Sequence, residues 1–416
     1  MRKEEKNAFA IKDICKKMIA DYDAVLKKYS LLYSGIFDTE WLLQTRISFQ
    51  AIRKAWLKRF VLNMFNVFVL LTKSRKCINK KYIFVGLRYK ELLTGIPSNE
   101  ILIIARGKSD MSYALKNNIP FIFSYSITYY FLRACLEGNQ AKLENEMCKF
   151  FKLFSLQQKI CYLILTSDTK PDEMFFLSLA SQFSGIFRVL CVQHGIYNNF
   201  EKDKFLVVDG ERTPFNLIYN ESQREIMSRY IKNSELLIMG PPWNLPCVIP
   251  EGDRDVILVG TDEGSPYSDI FQQLSKLLKA DKIDHTYRPH PADKNILPDD
   301  LLNAIDARSK EDLLSGKPKI FIGFISTLLF EAYMSGHTVY SIVIDKQIAR
   351  CSFDVDGYFS VKDLPVLCST IAGQPVVKKL DRDQNFQLSL SERFMKAIGD
   401  IEYIISKRKM CDNGGR

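Results

Sequence analysis

Lys319-Ile-Phe-Ile-Gly-Phe-Ile-Ser326-Thr327-Leu-Leu-Phe-Glu331-Ala-Tyr-Met-Ser-Gly336 is the stretch on which the reading of the chain turns. The apolar run from Lys319 to Phe324 predicts a buried strand, followed by a tight turn and a helix beginning at Ser326 or Thr327. Free backbone N–H groups at such a helix start, with two hydroxyls beside them, favour a phosphate. About thirty residues earlier stands Tyr287-Arg288-Pro289-His290-Pro291. A histidine braced by prolines, on the turn after the preceding strand, could add a proton or a positive charge to the same anion. Together the two segments predict a nucleotide-phosphate site outside the carboxyl ends of the strands of an open α/β sheet.

Working outward, the same alternation covers most of the chain. Short apolar runs at Tyr82–Gly86, Glu100–Ala105, Pro120–Ser124, Ile160–Thr166 and Phe187–Val192 are separated by helical segments, clearest at 127–157 and 172–184. Fully apolar short strands interleaved with helices imply a parallel sheet covered on both faces. A helix over 220–233 and the Pro-rich segment 241–250 follow, the latter reading as a linker. A second α/β unit starts at Asp255–Gly260 and continues through a helix over 266–280 and a strand ending at Tyr287. It goes on through a helix over 298–305, the 319–335 strand and helix, and the strand Thr338–Ile344. Residues 385–407 read as a closing amphipathic helix. The expected division is a basic helical region (1–80), a first Rossmann-like domain (81–243), a second (244–384) and a closing helix with its tail (385–416). The expected fold is α/β of the GT-B type, two Rossmann-like domains with a cleft between them.

The net charge of +10 is concentrated at one end. Residues 1–80 hold 17 Lys and Arg against 7 Asp and Glu, a difference of +10, so the other 336 residues are neutral overall. Helical spacing over 8–33 and 40–73 ends in the apolar run Phe60–Lys73, flanked by Lys58, Arg59, Lys73, Arg75 and Lys76. This run reads either as an interfacial helix on anionic lipid headgroups or as a core helix with a solvated basic face. No nucleic-acid-binding fold or basic-aromatic platform accompanies the charge, so no nucleic-acid partner is expected. Ten cysteines without a CxxC pair, no secretory signal and no apolar run of about 20 residues imply a cytoplasmic protein without a disulfide framework.

The chain has four histidines. His194, in Val192-Gln193-His194-Gly195, and His290 each follow a predicted parallel strand at its carboxyl end, where ligands bind. His285, within a strand, and His337, after the helix-ending Gly336, read as structural. Gly260-Thr261-Asp262-Glu263-Gly264-Ser265 follows the first strand of the second unit. Adjacent carboxylates in a glycine-bracketed turn could supply a general base, mutual repulsion raising the pKa of one of them.

The ordered set Asp262-Glu263-Gly264, His290-Pro291 and Ser326-Thr327 resembles the acidic-acidic-Gly, His-Pro and Ser/Thr signature of bacterial GT-B sialyltransferases, over residues 188–344. Gln193-His194-Gly195 extends the resemblance towards O-antigen and capsule sialyltransferases. The resemblance implies transfer of sialic acid from CMP-sialic acid to a sugar hydroxyl of a surface glycan, by direct inverting displacement. It implies Asp262 as the base, with Glu263 as its neighbour or substitute, and His290 at the CMP phosphate. Ser326 and Thr327 would hold that phosphate at the helix start, with Arg288, Pro291 and Gly264 beside it. Glu331 would face the ribose or cytosine, and Gln193, His194 and Gly195 would line the acceptor side. No cofactor is expected, and no metal, since one phosphate is served by a helix N-terminus and a histidine. The acceptor would be a lipid-linked oligosaccharide, reached by an enzyme peripheral to the inner face of the cytoplasmic membrane and held there by its basic N-terminal region. The Gln-His-Gly element with a later His-Pro is also similar to teichoic-acid polyol-phosphate transferases. Under that reading His194 is the base and the donor a CDP-polyol. A CMP-Kdo transferase and a non-catalytic nucleotide-binding module complete the alternatives.

Overall fold

A computed structural model describes residues 10–24, 60–62, 64–66, 77–195, 197, 210–243, 255–261, 267–290, 297–324, 326–344, 355–373 and 388–414. Asp262, Glu263, Gly264, Pro291 and most of the expected linker therefore lie outside the described residues.

Two all-parallel sheets organise the chain. The first contains β1 (Tyr82–Val85), β2 (Ile101–Ala105), β3 (Phe121–Phe123), β4 (Cys161–Leu165), β5 (Phe187–Val192), β6 (Phe215–Ile218) and β7 (Glu235–Ile238). Their order is β3-β2-β1-β4-β5-β6-β7. The second contains β8 (Asp255–Val259), β9 (His285–Arg288), β10 (Lys319–Gly323), β11 (Thr338–Val343) and β12 (Gly357–Ser360), in the order β12-β11-β10-β8-β9. In each, the chain builds outward on one side and then crosses back to build on the other. The reversal lies between β1 and β4 in the first sheet and between β8 and β10 in the second. Such reversals leave a crevice at the carboxyl ends of the two strands that flank them.

Strand side chains alternate between two cores, which is why the strands read as continuous apolar runs. Ile83, Val85, Leu102, Ile104, Leu163 and Leu165 face one core, which the helices Tyr125–Glu137, Ala141–Ser155 and Pro171–Ser181 cover. Helical residues 10–24 lie on the same core through Ile11, Ile14, Cys15, Met18 and Tyr22, with Lys12, Lys16 and Lys17 exposed. Tyr82, Phe84, Ile103, Tyr162 and Ile164 face the opposite core. There the helix Leu390–Gly414 returns to the first sheet through Leu390, Phe394, Ala397, Ile398 and Ile401, and Tyr162 donates to Glu402 at 2.6 Å. Two Rossmann-like sheets, with the last helix crossing back to the first, make the GT-B architecture. Arg393 of that helix donates to the carbonyls of Met239 (3.2 Å), Pro241 (2.9 Å) and Trp243 (3.0 Å), so the connection out of the first sheet is held by side-chain hydrogen bonds.

Several boundaries differ from expectation. The helix expected over 127–157 is two helices, because Gly138 adopts a left-handed φ of 68° and its N–H closes on the Ala134 carbonyl. The 220–233 helix ends at Ser228, the 298–305 helix is only Asp299–Leu302, and the closing helix runs Leu390–Gly414. Strands β6, β7 and β12 were not expected from sequence. β6 carries the buried Asn216, and β12 is an edge strand whose four residues are incompletely buried.

Residues 60–62 and 64–66 are helical and pack on the first sheet by one side. Asn66 donates to the Phe123 carbonyl and accepts from its N–H, both at 2.8 Å, closing the free edge of β3. Phe65 stacks on Phe121. Phe60, Val61 and Met64, on the other side, are 58%, 56% and 53% exposed. Among the described residues no helix is long and apolar enough to cross a membrane.

Candidate active site

The helix start expected to hold a phosphate lies at the carboxyl edge of the second sheet. Ser326 is the N-cap of the helix Thr327–Ser335, and its Oγ accepts the Leu328 N–H at 3.2 Å. Its carbonyl takes the Leu329 and Phe330 N–H groups. The Ser326 hydroxyl is thus engaged in capping. Thr327 supplies a hydroxyl and, as the first helical residue, a backbone N–H that no described residue accepts. This helix start follows β10, directly beside β8 across the reversal. Gly260 ends β8 and donates to the Arg288 carbonyl at 2.9 Å, and the Tyr287 hydroxyl lies against its Cα, so a side chain there would collide with it. His290 follows β9 on the other flank of β8 and is half-buried.

Two expected donor ligands are engaged elsewhere. One Arg288 nitrogen donates to the carbonyls of Asp306 (3.0 Å) and Arg308 (2.8 Å), bracing the segment that runs along β9. That commitment makes Arg288 a brace of the sheet edge rather than an arm reaching into the crevice. Glu331 is buried and ion-paired to Lys310 at 3.0 Å; burial raises its carboxyl pKa and the Lys310 ammonium opposes the rise. Lys310 also lies over the Trp243 ring, 5.2 Å from its centroid.

The first sheet contributes from the ends of β1, β5 and β6. Tyr219, just after β6, stacks on Phe330 of the second sheet's helix with centroids 5.8 Å apart and packs edge-on against Trp243. Its hydroxyl is 3.5 Å from that of Tyr89, which also donates to the Gln193 carbonyl at 3.3 Å. These aromatic contacts join the two sheets beside the cleft. Sequence reasoning missed them because single aromatic residues after short strands carry no periodic signal.

Gln193 is fully engaged, which revises its expected role as an acceptor contact. Its Nε2 donates to the Gly195 carbonyl (2.7 Å) and to Gln223 Oε1 (2.5 Å), and its Oε1 accepts the Tyr219 N–H (2.9 Å). His194 and Gly195, half-buried, form the tip of the turn so held.

The remaining histidines are structural, as read from sequence. His285 Nε2 pairs with the Ser275 hydroxyl at 2.7 Å. His337 is buried, its Nδ1 accepts the Lys319 N–H at 3.1 Å, and burial lowers its pKa from 6.5 to about 4. Because the unfolded chain takes up this proton first, stability attributable to neutral His337 is present above pH 6.5 and lost as pH falls towards 4. The full loss is about 3 kcal/mol. Denaturant titrations should show a decline over that window, and His337→Gln should flatten it.

No family model matches the chain, and no curated protein matches it in sequence. Solved structures similar to it include the pneumococcal O-GlcNAc transferase GtfA in complex with UDP and GlcNAc, at 12% identity and a TM-score of 0.39. That match covers 64% of this chain and 60% of the other, so the chain spans less than two thirds of that relative. The wall teichoic acid polymerase TagF is similar at 13% identity and a TM-score of 0.42, over 85% of this chain and 99% of the other. A UDP-glucose: anthocyanidin 3-O-glucosyltransferase in complex with UDP matches at 10% identity and a TM-score of 0.43, over 78% and 94%.

Proposed function

We propose that the chain is an inverting, metal-independent glycosyltransferase that moves sialic acid from CMP-sialic acid to a sugar hydroxyl of a bacterial surface glycan. The observation that carries this reading is the helix start at Ser326–Thr327, set on the crevice between β8 and β10 with His290 on the next strand end. Residues 244–384 would bind the donor and 81–243 the acceptor. As the glycosidic bond breaks, its electron pair passes to a CMP phosphate oxygen. The Thr327 hydroxyl and backbone N–H and His290 would meet that charge where it grows. Glu331, buried and paired with Lys310, would support the helix Thr327–Ser335 rather than touch the nucleotide.

Displacement with inversion brings the acceptor oxygen to the face opposite the leaving phosphate. The base therefore belongs on the first sheet, and His194 at the end of β5 is the residue there with suitable chemistry. It would take the acceptor hydroxyl's proton as the new C–O bond forms. Asp262, the base that the resemblance implies, follows β8 in sequence and lies outside the described residues. The held Gln193-His194-Gly195 turn also favours a second reading, transfer of a polyol phosphate from a CDP-polyol with the same base. Incubation with CMP-sialic acid or CDP-glycerol in the presence of EDTA separates the two. Consumption of CMP-sialic acid with an inverted product fits the first, consumption of CDP-glycerol alone fits the second, and arrest by EDTA refutes metal independence.

In this reading the enzyme works at the cytoplasmic membrane face on a lipid-linked acceptor. Exposed Phe60, Val61 and Met64 within a region of +10 charge suit an anionic bilayer. The protein should sediment with phosphatidylglycerol vesicles at low salt and be released at high salt. Equal partition onto neutral vesicles would refute the electrostatic part.

A further inference from the structure

Two buried glutamines stand behind the His194 turn, and the second had no part in any motif. Gln223 lies in the first turn of the helix Glu221–Ser228 and is 1% exposed. The Asn220 cap holds its backbone, accepting the Gln223 N–H at 2.9 Å. Its Oε1 accepts from Gln193 Nε2 at 2.5 Å and from the Tyr197 N–H at 2.8 Å, and its Nε2 donates to the Tyr197 carbonyl at 2.9 Å. Gln223 thus grips the residue before His194 and the residue three positions after it. Gln193 adds the Gly195 carbonyl and, through its Oε1, the Tyr219 N–H.

A primary amide suits this place. One oxygen accepts two donors while the nitrogen serves a carbonyl, so one side chain joins two strands of a loop as a segment of sheet would. An apolar side chain of the same size would leave the Tyr197 N–H and carbonyl and a Gln193 donor buried without partners. The helix that carries Gln223 packs against the first sheet through Met227, which clusters with Ile218, Leu236 and Ile238. The turn is therefore referenced to a rigid element and not only to its own backbone.

We infer that Gln223 is a positioning residue for His194: it fixes the turn so that the imidazole is presented to the acceptor hydroxyl. This rests on the reading of His194 as the base. Because Gln193 also bonds Tyr219, which stacks on Phe330, the same amide pair ties the turn to the junction between the sheets.

The test is a double-mutant cycle on turnover with CMP-sialic acid, using Gln223→Leu and His194→Ala. Gln223→Leu should lower kcat by about 100-fold, the scale of a misplaced catalytic group, while CMP-induced thermal stabilisation stays as in the wild type. In the His194→Ala background the same substitution should change kcat by less than about 3-fold, because its effect acts through the imidazole. Full additivity, or wild-type turnover in Gln223→Leu, overturns the inference. Should Gln223→Leu fail to fold, Gln223→Asn decides by the same cycle, since its shorter amide cannot span both partners. Wild-type turnover in His194→Ala alone would instead sink the underlying reading of the site, a separable outcome.

Discussion

Replacing His194 by alanine should lower kcat by roughly 10²- to 10⁴-fold, the range expected for loss of a positioned general base. β5 delivers His194 to the carboxyl edge of the first sheet, whereas β8, β9 and β10 deliver the phosphate cradle to the same edge of the second. A single displacement with inversion puts base and leaving group on opposite sides of the reacting carbon, so two sheets facing a cleft divide those roles between them. His194→Ala should leave CMP binding intact, because none of the cradle residues lies on the first sheet. Kinetics across pH, with added imidazole as a rescue, check the assignment. If Asp262→Asn abolishes turnover while His194→Ala keeps it, the base belongs to the second sheet.

Thr327→Pro tests the cradle without disturbing the helix. Thr327 is the first helical residue, a position where proline is favoured, and Ser326 before it has φ −156° and ψ 142°, the extended conformation that precedes proline comfortably. The substitution deletes the backbone N–H and the hydroxyl together, while the Ser326 cap to Leu328 survives. Hydrogen bonds to a charged partner contribute about 1.5–3 kcal/mol, so CMP affinity should fall roughly 10- to 150-fold. The ligand-free melting temperature should be unchanged. Unaltered CMP affinity would mean that the phosphate lies elsewhere.

Much of this architecture is legible in the amino-acid order, and the reasons are local. β1, β2 and β4 are buried on both faces, so unbroken apolar runs announce them, and β5 differs only by the buried Arg188. The Ser326 cap is visible because a serine directly before an apolar helix pattern is a favoured N-cap. What sequence reading missed depends on contacts distant in the chain. β6 hides behind Asn216, whose amide serves the Gly210 carbonyl and the Ser234 hydroxyl. Arg288 looked available until the 306–308 segment took its guanidinium. Gln193 was read as a ligand because it neighbours a histidine, yet Gln223, 30 residues away, accepts one of its protons. Glu331 was assigned by its distance from the helix start, while its partner Lys310 comes from a short helix that no periodicity announced.

In the proposed function, the crevice between β8 and β10 binds the phosphate of a cytidine nucleotide. Thermal unfolding of the purified protein with CMP, CDP or UDP, without metal, tests it most directly. Binding to the native state at 100 times the dissociation constant stabilises it by about 2.7 kcal/mol. CMP should raise the melting temperature of the wild type and of His194→Ala alike, and that of Thr327→Pro by about half as much or less at the same concentration. No shift with any of the three nucleotides, or a shift with UDP alone, would contradict it.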